Sequence, residues 1–293
     1  MEQKVCFFSA GVPIAGVIGI PDDYRQGEKR AGIVFCCGFI SVKEIHIPAN
    51  AEYMRRRGYV TLRFDYRYFG ESGGEPRSRL IPQDQVADIQ SAVTFLQHRP
   101  EVDPERIGLY GHSWGCGNVS YVAGIDDRIK CTVGIGGPAD CERQFRLGTG
   151  FERFLERVKR ARTEFILTGK PTYADVSKFM GRDPEMARVI EEQKQLYSTW
   201  RPEFTFESLA DVMRFKPESV VHQIAPRAIM WLFSDADKLV SQFEGTSFLA
   251  KAREPKQLVI LNGLTHDDMY REPGFSQVME HTRAWFAKYL PAR

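Results

Sequence analysis

GHSWGCG, residues 111–117, is the stretch that decides the fold. It closes the apolar run RIGLY (106–110) and leads into a helix that begins near Trp114. Gly111 and Gly115 stand two positions before and after Ser113. Small residues at that spacing let a strand and a helix pack closely about a sharp turn, with the serine between them held in a strained conformation. A helix that starts at Trp114 also aims its first backbone N–H groups at negative charge developing on the serine side.

Outward from this turn, the same kind of run recurs. VPIAGVIGIP (12–21), AGIVFCCGF (31–39), YVTLRFDY (59–66), RIGLYGHS (106–113), CTVGIGG (131–137), AIMWLFS (228–234) and QLVILNG (257–263) are continuously apolar and bounded by turn residues. Continuous rather than alternating hydrophobicity marks strands covered on both faces, and so a parallel sheet flanked by helices. The helices are legible between them. Residues 47–58 end in glycine, 83–99 place Val86, Ile89, Val93 and Leu96 on one stripe, and 275–290 do the same with Val278, Trp285, Phe286 and Leu290. Strands alternating with helices predict an α/β domain with right-handed crossovers.

From about residue 140 to 226 the alternation stops. Helical patterns take over at 151–162, 184–200 and 206–215, with Asp183 and Pro184 as an N-cap and first-turn pair. The expected organisation is therefore a core of residues 1–139 and 227–293 with a helical cap at 140–226. Insertions of that length inside a compact domain are commonly lids or binding elements. Its stripe of Phe151, Phe154, Leu155 and Val158, among several basic residues, predicts an amphipathic lid helix. Its many aromatic residues suit an apolar pocket of moderate size, though they equally suit the insertion's own core.

A serine needs a base, and the base needs a group to orient it. His266, in LNGLTHDD after the last predicted strand, is the strongest candidate among six histidines. The acid is expected after the preceding strand, in SDADKLV, where Asp235 and Asp237 compete. Asp237 is preferred because Lys238, Leu239 and Val240 return the chain to an apolar anchor. His112 is assigned to packing, since neighbours on a sharp turn point apart, and Cys116 to a small residue facing the strand.

The chain order Ser113, Asp237, His266 is that of the α/β-hydrolases, and the chain resembles that superfamily. FDYRYFGES (64–72) resembles the D-x-R-G-x-G-x-S segment, with Tyr68 where glycine is usual, and Asp65 and Arg67 are expected to brace that loop. VDPERIGLYGHSWG (102–115) resembles the approach to the nucleophile in the dienelactone-hydrolase and X-prolyl-peptidase-like branches, and fungal polyketide transferases share the general plan. The likeness covers roughly residues 10–140 and 226–290. It implies an oxyanion hole made by the N–H groups of Trp114 and Phe39. Cys37-Gly38 stands where His-Gly is common, which keeps the backbone donor and loses any bracing by that histidine.

Bulk properties narrow the function further. A chain of 293 residues with net charge +2 and dispersed Lys and Arg has no concentrated basic face for nucleic acid. MEQKVCFF lacks a basic region followed by a long apolar run, and no stretch approaches a membrane span, so a cytoplasmic protein is expected. Six cysteines without metal spacing are read as reduced structural thiols.

The leading expectation is a serine hydrolase of an ester, thioester or lactone, needing no cofactor and no metal. Its partner is a small acyl substrate, and an exposed part of the cap leaves room for a homodimer. Acyl transfer, thioester release in secondary metabolism, carbon–carbon cleavage and a non-catalytic ligand-binding module are the competing readings, among which fold alone does not choose.

Overall fold

In a computed structural model of the chain, which describes residues 1–180 and 184–293, all seven apolar runs enter one eight-stranded sheet. The strands are β1 (Glu2–Ser9), β2 (Val12–Gly19), β3 (Arg30–Cys36), β4 (Val60–Phe64), β5 (Val102–His112), β6 (Ile129–Ile135), β7 (Tyr173–Asp175), β8 (Glu203–Thr205), β9 (Ala228–Ser234) and β10 (Lys256–Leu261). The helices are α1 (Ile47–Arg55), α2 (Pro82–Gln97), α3 (Trp114–Ile125), α4 (Cys141–Arg146), α5 (Phe151–Thr168), α6 (Val176–Met180), α7 (Pro184–Leu196), α8 (Leu209–Arg214), α9 (Gln242–Lys251) and α10 (Gly274–Tyr289). Asp183, read as the cap of α7, lies outside the described residues.

The sheet order is β1-β2-β4-β3-β5-β6-β9-β10. Six strands from β4 to β10 are mutually parallel, and every residue of β3 and β9 is buried, as their unbroken hydrophobicity requires. β2 departs from the parallel expectation. It runs antiparallel to both β1 and β4, and Ala10 and Gly11, both at positive φ, turn the chain back between β1 and β2 in two residues. β1 was not legible as a strand, since it is mostly exposed and only Phe7 and Ser9 are buried.

β3 has β4 on one side and β5 on the other, so the loops after β3 and β5 part above the sheet. Ligands of open α/β sheets bind in the crevice at such a switch point. α2 buries Val86, Ile89, Val93 and Leu96, and α10 buries Val278, Trp285 and Phe286. Their stripes cover the sheet as the sequence predicts. Among the described residues, no helix is long and apolar enough to cross a membrane.

The segment between β6 and β9 carries α4–α8 and the small β7–β8 pair. Its base is pinned by Glu244 of α9, which accepts from the backbone N–H groups of Ala139 and Asp140 at 2.7 and 3.1 Å and from Arg143 at 2.8 Å. Its far end packs on loops at the carboxyl edge of the sheet. Trp200 Nε1 donates to Ile40 O at 2.9 Å, the Phe204 ring meets Phe39 at 5.5 Å, and Thr265 donates to Glu185 at 2.5 Å. Along α5, Val158 is buried while Phe151, Phe154 and Leu155 pack half-buried on the core.

Candidate active site

Ser113 is the single residue between β5 and α3, with φ 52° and ψ −125°. Positive φ is costly for a side-chain-bearing residue, so the surroundings must hold it there. They do so by close backbone packing. A Cβ on Gly111 would lie 2.2 Å from Gly115 O, and one on Gly115 would lie 2.4 Å from Cys36 O. Ser113 N donates to Ile135 O at 2.7 Å, anchoring the turn to β6. Gly115→Ala is accordingly expected to cost more than about 4 kcal/mol or to prevent folding, because backbone rather than a side-chain tip must yield. Chemical denaturation checks this, and a loss under about 1 kcal/mol would contradict such tight packing.

His266 lies in the loop after β10 and Asp237 in the loop after β9. His266 Nδ1 is 2.6 Å from Asp237 Oδ2, and His266 Nε2 is 3.0 Å from Ser113 Oγ. A carboxylate only accepts, so Nδ1 carries the proton and Nε2 is left to accept from the serine hydroxyl. The other oxygen of Asp237 accepts from the N–H groups of Leu239 and Val240 at 2.8 and 2.9 Å, which fixes the carboxylate. Asp235, the competing acid, accepts instead from Gly263 N at 2.7 Å. The structure thus brings Asp237, not Asp235, to the histidine.

Burial works to lower the His266 pKa, but the Asp237 carboxylate, helped by Asp267 and Glu185, raises it above the usual imidazole value. A base must be neutral to accept a proton. Activity through His266 is therefore expected to be lost on acidification and to rise with pH, with a midpoint above about 6.5. A kcat/KM profile with its acid limb centred well below that value would contradict the pairing. His46 and His112 behave in the opposite way. Burial lowers His46 to about 4, helped by the positive charge of Arg271 and by His266, and burial holds His112 well below its usual range, helped by His46 and His266. Neutral, they pack around Tyr270, whose ring centroid is 5.4 Å from His46, 4.7 Å from His112 and 5.6 Å from His266.

Trp114 N is the first N–H of α3 and has no carbonyl partner within its own helix. The loop after β3 abuts the serine from the other side, since a Cβ on Gly38 would lie 3.4 Å from Ser113 Cβ. The Phe39 and Trp114 rings meet edge to face at 5.9 Å. Cys116 packs against β6, where a Cβ on Gly134 would meet its Sγ at 2.7 Å, and burial pushes its thiol up to about 12. All six cysteines are free, and only Cys6 is exposed.

Asp65 and Arg67 do brace their loop, though with partners the sequence did not disclose. Asp65 accepts from Lys43 N at 2.7 Å, Lys43 Nζ at 2.8 Å and Glu71 N at 2.9 Å. Arg67 Nε and Nη2 donate to buried Asp88 at 2.8 and 2.6 Å. Tyr68, where the resembling segment has glycine, sits in the left-handed region at φ 74°, and its hydroxyl donates to Asp84 at 3.1 Å. Among the described residues, Glu44, Asp65 and Glu71 form a group with metal-ligand spacing, but the Lys43 ammonium sits within 2.8 Å of all three. That ammonium is a cation the three carboxylates already share.

A serine on a strained strand-to-helix turn, with an aspartate and then a histidine on the loops of the last two strands of this sheet, defines an α/β-hydrolase. The chain belongs to the serine aminopeptidase S33 family (Hydrolase_4), which matches residues 27–273. It is 29% identical to the thiohydrolase aneE of Aspergillus aculeatus over 88% of this chain and 85% of that protein. It is 27% identical to the polyketide transferase claH of Penicillium crustosum over 87% and 86%. Among solved structures it is similar to the hypothetical protein PA2218 of Pseudomonas aeruginosa, with a TM-score of 0.84, 26% identity and coverage of 97% and 94%.

Proposed function

We propose that this hydrolase cleaves an ester, thioester or lactone through an acyl-enzyme on Ser113. The observation that carries the reading is the continuous chain from Ser113 Oγ to His266 to Asp237, at 3.0 and 2.6 Å, on a serine held at positive φ. His266 takes the hydroxyl proton as the serine oxygen attacks the carbonyl carbon, and Asp237 stabilises the imidazolium. The N–H groups of Trp114 and Phe39 receive the oxyanion. The imidazolium then returns its proton to the leaving alcohol or thiol, and a water deprotonated by His266 releases the acid.

Residues 1–139 and 227–293 form the catalytic core in this reading, and 140–226 a cap that excludes water and shapes the acyl pocket. The thiohydrolase among the relatives supports a thioester substrate. The polyketide transferase supports a second reading, in which an alcohol or amine captures the acyl-enzyme in place of water.

Incubation with acyl thioesters and 4-nitrophenyl esters of increasing length, with and without a primary alcohol acceptor, tests both readings. Hydrolysis predicts free acid as the main product at every acceptor concentration. Conjugate exceeding acid would transfer the assignment to an acyltransferase, and binding without any turnover would contradict both.

A further inference from the structure

Behind the loops that flank Ser113, four buried polar side chains form one hydrogen-bonded chain that has no part in proton transfer. Gln85, in the first turn of α2, receives the Trp114 indole N–H at 2.6 Å and Asn118 Nδ2 at 2.9 Å on the same oxygen. Asn118 Nδ2 also donates to Tyr66 Oη at 3.1 Å. None of the four residues is more than 5% exposed. Trp114 and Asn118 stand four residues apart on α3, one turn above the other on the same face.

A buried indole N–H must find an acceptor, and removing that acceptor strands the donor at the full cost of its desolvation. Gln85 is the acceptor here, so it fixes where the Trp114 ring sits. Two consequences follow for the backbone. Trp114 is the first residue of α3, so a ring that shifts to find another partner carries the N–H beside Ser113 with it. Its ring also supports the Phe39 ring across the site at 5.9 Å.

We infer that Gln85 is a positioning residue for the oxyanion hole, acting through the Trp114 indole. The inference rests on the reading of Trp114 and Phe39 as the oxyanion donors. Such donors act on charge that exists only in the transition state, and they must lie within hydrogen-bond distance of where the oxygen will be. Loosening them lowers kcat and leaves ground-state binding alone.

The test is a double-mutant cycle of Gln85→Leu, Trp114→Phe and the pair, read as kcat and KM on a short-chain 4-nitrophenyl ester and as the rate of labelling by a fluorophosphonate. Each single variant is expected to lose roughly tenfold in kcat and in labelling rate, a fraction of what deleting a donor outright costs, with KM within about twofold. The double variant is expected to match the worse single variant, since all three break the same bond. Retained kcat in both single variants, a loss confined to KM, or losses that multiply in the pair would each overturn the inference. If Gln85→Leu does not fold, Trp114→Phe still reads out the bond, because Gln85 keeps its bond from Asn118. A native protein that neither turns over nor labels would overturn the reading of the site, and this inference with it.

Discussion

Ser113→Ala is expected to lower kcat by about 10⁵ to 10⁶, leaving only the acceleration that binding and the oxyanion hole provide. The substitution removes one oxygen and keeps the Cβ, so the φ of 52° and the packing of Gly111 and Gly115 around the turn are undisturbed. Denaturation midpoints should therefore stay near the native value while turnover disappears. His266 keeps its bond to Asp237 in the variant, so the base remains in place with nothing to deprotonate. Steady-state hydrolysis of a responsive ester is the measurement. Activity surviving at more than about a hundredth of the native rate would mean that the nucleophile lies elsewhere.

Asp237→Asn carries the second large effect, expected at about 10⁴ in kcat. An asparagine amide can turn its N–H₂ toward His266 Nδ1, which favours the tautomer with the proton on Nε2, facing Ser113 Oγ, and the base can then no longer accept. Its remaining oxygen still accepts from Leu239 and Val240, so the loop holds. The residual activity should also show its acid limb moved to lower pH, because Asp237 is the main group raising the His266 pKa against burial. Asp235→Asn supplies the contrast. Asp235 holds Gly263 N rather than the histidine, so its replacement should change kcat by less than about tenfold. Equal losses in the two variants would contradict the assignment of the acid.

The elements that sequence made legible share a local signature. Seven strands announced themselves by unbroken hydrophobicity, and Ser113 and His266 by their place at strand ends. The preference for Asp237 over Asp235 rested on the return to an apolar anchor at Val240, whereas the partner of Asp235, the Gly263 N–H, has no mark in the sequence. The direction of β2 was hidden for a related reason. Periodicity reports which faces are covered and not which way a strand runs beside its neighbours β1 and β4.

Pairs distant in sequence were the least legible. Lys43 with Asp65 and Arg67 with Asp88 join residues more than twenty positions apart, and nothing in the intervening residues marks either partner. Gln85 reads only as a polar residue near a helix start until α2 and α3 pack and bring it to the Trp114 indole. Within the insertion, β7 and β8 have three residues each, too few for an alternating pattern to show.

The central claim is that Ser113 is an activated nucleophile, and covalent labelling by a fluorophosphonate, read by intact mass, tests it most directly. The native protein is expected to gain a single adduct, while Ser113→Ala gains none and His266→Ala gains it far more slowly or not at all. A native protein that stays unmodified by the probe and by a small sulfonyl fluoride, or an adduct that persists in Ser113→Ala, would contradict it.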